Sequence, residues 1–179
     1  MEKLFLIDAY ALIFRFHYAF INRPMRNAQG LNTSAIFGFA KFLNEIIARE
    51  QPKYLGVAFD PPGGSFRREL YPLYKANRDA TPEDIIAAVP HIKAWLEAMR
   101  IPVLEVPDYE ADDVIGTLSH RASCCGEYDV YMVTPDKDYG QLIKENVSMY
   151  KPAKGGEGID VVGLDKVCET YGIPDPKQV

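Results

Sequence analysis

Four short apolar runs in this chain each lead into acids: "FLID" ends on Asp8, "VAFD" on Asp60, "VLEVPDYEADD" reaches Glu110, Asp112 and Asp113, and "MVTPDKD" reaches Asp136 and Asp138. Longer stretches with helical spacing of apolar residues lie between them. A helix is expected after Asp8 to about Phe20, and Ile36, Phe39, Ala40, Leu43 and Ile47 mark another from Thr33 or Ser34 to about Glu50. Thr81 and Pro82 supply an N-cap and a first-turn proline for a helix to about Met99, broken or bent at Pro90. Val114, Ile115, Leu118 and Ala122 form the stripe of a helix that begins near Glu110 and ends at Gly126.

Beyond Asp136 the pattern weakens. "PDKDYGQLI" reads as a short helix, "VSMYKP" and "IDVV" as strands around a hairpin tip "KGGEG", and "LDKVCETYG" as a small helix. Strands alternating with helices predict an α/β fold with a mostly parallel central sheet flanked by helices on both faces, Rossmann-like in its layering. No repeat or linker divides the chain, so residues 1–179 are expected to form one domain.

In a parallel sheet the strand ends share one edge, and ligands bind outside the carboxyl ends. Seven carboxylates distant in sequence should therefore meet in one cleft. Like charges at ~4 Å repel by roughly 1 kcal/mol even in water. An all-oxygen set without His or Cys selects Mg²⁺, Mn²⁺ or Ca²⁺ over zinc as the neutralising ion. Helix dipoles offer a plainer reason for acids at Glu110–Asp113, but not for strand-terminal Asp8 and Asp60. Carboxylate-held cations of this kind mostly serve phosphate chemistry.

The formal net charge of −5 shows no basic excess of the kind nucleic-acid binders usually carry. Distribution matters more than the sum. "FRRELYPLYKANR", residues 66–78, places Arg67, Arg68, Lys75 and Arg78 among Phe66, Tyr71 and Tyr74 with one acid, Glu69. Arginine forks suit phosphate, and aromatic faces stack on unpaired bases. The other motif classes are missing: there is no "GxxxxGK[ST]", "GxGxxG" or "GxSxG", and His17, His91 and His120 are scattered. Three cysteines without a disulfide or zinc spacing fit a reducing compartment and packing roles. No run approaches the ~20 apolar residues of a membrane span, and Asp8 interrupts the apolar N-terminus, so a cytoplasmic protein without a membrane partner is expected.

"FLIDAYALIFRFHYAF", "VAFDPPGGSFRRELYPLYKANR", "YEADDVIGTL" and "TPDKDYGQL" together resemble the N-terminal 5′–3′ exonuclease domains of bacterial DNA polymerases I, in the flap endonuclease family. The resemblance runs in register over essentially the whole chain and implies a PIN-like nuclease core. It implies a structure-specific 5′ nuclease using Mg²⁺ or Mn²⁺, acting on DNA with a 5′ flap, nick or RNA primer in replication and repair. It also implies polymerase domains in the same natural chain.

Position by position, Asp8, Asp60, Glu110, Asp112, Asp113, Asp136 and Asp138 match the family's metal-site acids. Arg15 matches its basic first-helix residue. Tyr74, Lys75 and Arg78 match its arch, here about residues 61–80, and Phe66 and Arg67 match the pair at the arch entrance. Lys75, Arg78 and Arg15 are therefore expected to act at the scissile phosphate. Ala9, Tyr10 and Pro135 depart from the family's usual neighbours of these acids.

The family continues past the segment matched by "YGIPDPKQV" into a "GDxxDN" segment and a helix-hairpin-helix with a potassium site. The second metal's ligand set is thus expected to be incomplete here, and the isolated chain, a monomer, weak or inactive. Residues 64–80 are expected to be mobile without DNA. A PIN-type RNase and a catalytically silent DNA-binding module are the competing readings.

Overall fold

The computed structural model describes residues 1–77, 79–153 and 158–179. Strand β1 (Glu2–Asp8) runs directly into α1 (Ala9–Ala19), followed by α2 (Ser34–Glu50), β2 (Tyr54–Ala58), α3 (Phe66–Leu70), α4 (Glu83–Ala98) and β3 (Val103–Leu104). The second half contains α5 (Ala111–Cys125), β4 (Tyr128–Val133), β5 (Val147–Pro152), β6 (Ile159–Val162) and α6 (Leu164–Tyr171), with a 3₁₀ turn at Lys137–Leu142.

The six strands form one sheet in the order β3-β2-β1-β4-β5-β6. All pairs are parallel except β5 with β6. Period-two alternation along the strands splits the core into two layers. Phe5, Ile7, Val57 and Val133 pack with α1, α2 and α4 on one face, whereas Leu6, Ala58, Val130 and Met132 pack with α5 on the other. The expected helices on both faces are present. Strand order reverses at β1, whose neighbours are β2 and β4, and this switch point is where the strand ends open a ligand crevice.

Helices α1 and α2 approach closely because Gly38 has no side chain. A Cβ there would lie 2.6 Å from Phe16 Cγ. Gly38→Val is expected to destabilise the chain by about 1–3 kcal/mol through overpacking, read as a lower denaturant midpoint.

Several elements differ from the sequence reading. Helix α4 starts at Glu83, after Pro82, without a side-chain cap from Thr81, and it runs through Pro90. Buried Ile85, Ala88, Ile92 and Leu96 bind both halves of this helix to the core. The third strand shrinks to two residues at the sheet's margin, between Pro102 and Pro107. Cys124 and Cys125 are exposed rather than packed, because they occupy the last turn of α5 beyond its buried stripe. The proposed hairpin tip at 154–158 falls largely outside the described residues. Among the described residues no helix is long and apolar enough to cross a membrane.

Candidate functional site

Asp8 closes β1 and serves as the N-cap of α1, its Oδ1 accepting from the Ala11 N–H at 3.2 Å. Its Oδ2 accepts from Thr134 Oγ1 at 3.3 Å and from the Tyr139 hydroxyl at 3.1 Å, which links the end of β1 to residues following β4. The side chain therefore spans the switch point. Only 8% of Asp8 is exposed, and burial, reinforced by the charge of Asp60, pushes its carboxyl up to about 6 despite the three donors. Burial and the neighbouring Asp8 carboxylate likewise push the Tyr139 hydroxyl far up, so it remains a donor.

Asp60 follows β2, and its Oδ1 accepts from the Ala111 N–H at 2.7 Å, capping the first turn of α5 from another element. Glu110 is 7% exposed. Its Oε1 accepts from Ser65 Oγ at 2.8 Å, and its Oε2 accepts from Lys75 Nζ at 2.5 Å and the Tyr74 hydroxyl at 3.3 Å. Burial would raise this carboxyl, but Lys75 and Ser65 outweigh it and hold the group below its ordinary range.

Asp113 receives a two-pronged Arg67 guanidinium, with both contacts at 2.6 Å, and its Oδ2 also accepts from the Glu110 N–H at 3.0 Å. Arg67 holds the Asp113 carboxyl low, and Asp113 in turn raises the guanidinium. Asp112 goes the other way: partial burial and then the charges of Asp113 and Glu110 push it up.

The basic aromatic segment thus meets the N-terminus of α5 through Arg67, Tyr74 and Lys75. The Arg67 guanidinium lies 4.8 Å from the Phe66 ring centroid and 5.9 Å from that of Tyr74, and Phe66 also packs on Tyr109. Arg78 lies outside the described residues. Arg15 reaches away from the acids, donating to the carbonyls of Pro152 and Ala153 at 3.5 and 3.2 Å.

Asp136 caps the 3₁₀ turn through the Asp138 N–H, and both aspartates are exposed. The acids thus share the expected edge, but they do not form one open cluster. Among the described residues no group of three or more His, Cys, Asp or Glu side chains is arranged to hold a metal ion. The donor chemistry fits a hard cation. Glu110 and Asp113, however, already have cationic partners.

Three participants were not singled out in the sequence. Thr134 and Tyr139 lie within the quoted "TPDKDYGQL", and a hydroxyl directly after the fourth apolar run was the available signal for Thr134. Ser65 carried none.

Residues 3–172 match the family described as 5′-3′ exonuclease, N-terminal resolvase-like domain. The chain is 40% identical over 151 residues to DNA polymerase I of Borreliella burgdorferi, covering 84% of this chain and 16% of that protein. It is 35% identical over 177 residues to a 5′-3′ exonuclease of Aquifex aeolicus, covering 99% of this chain and 59% of that one. The chain thus spans from about a sixth to about three-fifths of the length of these relatives. Among solved structures, the bacteriophage T5 flap endonuclease, crystallised as a pseudo-enzyme–product complex with DNA and metal ions, superimposes with a TM-score of 0.67 at 20% identity, covering 99% of this chain and 63% of that one. That likeness shows that the sheet and its flanking helices share the fold of that protein. With the family match spanning nearly its whole length, the chain belongs to the 5′-3′ exonuclease, N-terminal resolvase-like domain family.

Proposed function

We propose that this chain is the nuclease core of a divalent-cation-dependent 5′-3′ exonuclease and flap endonuclease that hydrolyses phosphodiesters in DNA replication and repair. The observation that carries this reading is the docking of Arg67, Tyr74 and Lys75 directly on the acidic first turn of α5. Groups suited to phosphate and to bases are thereby held beside groups suited to a hard cation. The solution of a flap endonuclease of the same fold with DNA and metal ions adds support.

Asp8, Asp60, Glu110, Asp112, Asp113, Asp136 and Asp138 are the acids that would hold Mg²⁺ or Mn²⁺, and a cation bound among them would supply polarisation of the scissile phosphoryl group and activation of a water. Arg67, Lys75 and Arg78 orient the phosphate backbone, and Phe66 and Tyr74 offer faces to unpaired bases. Arg15, on the flank nearer β5, holds a more distant phosphate. Residues 1–179 work as one monomeric unit in the cytoplasm, with 61–80 as the arch, alongside polymerase domains in the natural chain. The substrate is a 5′ flap, nick or RNA primer on duplex DNA.

The test is cleavage of a 5′-labelled flap by the purified chain with Mn²⁺, with Asp112→Asn as the control. Slow release of 5′ products that needs the cation is expected. Asp112→Asn should reduce it on the order of a hundred- to a thousandfold, as for loss of one group stabilising transition-state charge. Cleavage of single-stranded RNA without regard to a 5′ end would instead identify a PIN-type RNase. Cation-independent DNA binding without cleavage would identify a silent binding module.

A further inference from the structure

The two exposed cysteines that close α5 differ in what surrounds them. Cys125 Sγ donates to the Ala122 carbonyl at 3.0 Å, a bond within the helix that occupies its proton. Cys124 Sγ instead lies 3.8 Å from His120 Nε2, one helical turn back, and the other nitrogen of that ring, Nδ1, lies 3.1 Å from Lys144 Nζ. Lys144 stands just before β5, so two separate elements build the cluster. Its ammonium also donates to Ser123 Oγ at 3.4 Å, and Ser123 Oγ donates to the His120 carbonyl at 2.9 Å. The lysine is thereby held over the imidazole.

Lys144 fixes the tautomer of the ring. An ammonium only donates, so Nδ1 accepts, and the proton of neutral His120 sits on Nε2, facing Cys124 Sγ. A donor aimed at the sulfur favours the thiolate, which is the nucleophilic form of cysteine. The partial negative charge at a helix C-terminus opposes a thiolate at either cysteine. Beside Cys124 it is offset by Lys144 and by the exposed Arg121, three residues back on the same side of the helix.

We propose that Cys124 is a covalent modification site that takes small, carboxylate-bearing disulfides to form a mixed disulfide. The thiolate attacks one sulfur of the incoming molecule: a new S–S bond forms to Cys124 as the old S–S bond breaks, Cys124 is oxidised, and the departing sulfur keeps the electron pair. That sulfur leaves as a thiolate and takes a proton from water. Solvent also accepts the original Cys124 proton, because Nε2 already carries one. Lys144 and Arg121 suit the carboxylates of such a molecule. Cys125 does not resolve the adduct, since neighbouring helical residues diverge by about 100° and its own proton is bonded to Ala122. The cluster lies about 20 Å along α5 from the acids at its other end, and it does not depend on the nuclease reading.

The test treats the whole chain with oxidised glutathione at pH 7 and follows the gain of one glutathionyl group on the peptide after Arg121 by mass spectrometry. Cys125→Ser, which keeps Cys124, is expected to react about tenfold faster than Cys124→Ser, the scale of one charge-assisted hydrogen bond. In denaturant the two rates should converge, because the contacts to His120 and Lys144 exist only in the fold. Adding His120→Ala to Cys125→Ser should lower its rate to that of Cys124→Ser. Lys144→Met should slow Cys124 severalfold, whereas Lys144→Arg, which still donates to Nδ1, should not. The advantage of Cys124 over Cys125 should be smaller with neutral hydroxyethyl disulfide than with oxidised glutathione.

Equal rates at the two cysteines of the folded chain overturn the proposal, as does a Cys124 rate that His120→Ala leaves unchanged. An advantage of Cys124 that persists in denaturant overturns it too, because the cause would then lie in the local sequence. Equal advantage with both disulfides overturns the assignment to carboxylate-bearing molecules.

Discussion

At pH 7 and without divalent cations, the Asp8→Asn protein is expected to melt several degrees above the unsubstituted chain, whereas with Mn²⁺ present its cleavage is expected to fall on the order of a hundred- to a thousandfold. The stability gain follows from the raised carboxyl. Its value in the fold is about 6, against an ordinary 3.8, so the folded chain holds this proton more tightly than the unfolded chain does. Below the ordinary value both states are protonated and the group contributes nothing. As pH rises from there through about 6, the unfolded state ionises first and stability is lost; above that range the loss is complete, at roughly 3 kcal/mol.

Asparagine removes the charge without orphaning its neighbours. Its carbonyl can still accept from the Ala11 N–H, while its amide donates to the Thr134 and Tyr139 hydroxyls, which rotate to accept. For a domain of this length, each 1 kcal/mol moves the melting temperature by about 2–4 °C. Thermal melts at pH 7 and near pH 4 should therefore show a clear gap that closes in acid. Saturating Mn²⁺ should narrow or invert the gap, because only a chain with an intact ligand set gains stability from the cation. A gap that persists in acid would mean that the charge of Asp8 is not its cause.

The position of this carboxylate was legible in the sequence because a buried parallel strand is nearly all apolar, which makes a terminal aspartate conspicuous. The same rule located Asp60 and the acids before α5, and the strand–helix alternation located both layers of the core. What the residues at Glu110–Asp113 would touch was not legible. Ser65, Arg67 and Lys75 reach them from 35 to 46 positions away, across a segment whose short helix buries none of its own residues. No local periodicity encodes such a contact. Similarly, Tyr139 passed as one more aromatic residue because its role depends on a parallel crossover that brings β4 beside β1. The start of α4 was misread for a local reason: Pro82 suits either the cap or the first turn, and Thr81 makes no cap bond to decide between them.

Three residues before Asp8 on the same strand, Phe5 holds the switch point together, and Phe5→Ala is expected to be among the most destabilising single substitutions in the chain. The ring is fully buried, stacked on Tyr131 at 4.7 Å and set edge-on to Tyr150 at 5.3 Å. It thereby joins β1 to its neighbour β4 and to β5 beyond. Emptying that position removes a large buried ring and two aromatic contacts and leaves a cavity, at a cost of about 3–5 kcal/mol. On the scale used above, this corresponds to a fall of roughly 6–20 °C in melting temperature. Phe5→Leu, which keeps most of the volume, should lose markedly less. The Phe5 ring packs within the apolar layer beneath α1, α2 and α4, so at a temperature where both variants remain folded the Mn²⁺ affinity should survive in each. Loss of Mn²⁺ binding in folded Phe5→Leu would show that the spacing of β1 from β4 is set by this aromatic cluster tightly enough to govern the carboxylates at the strand ends.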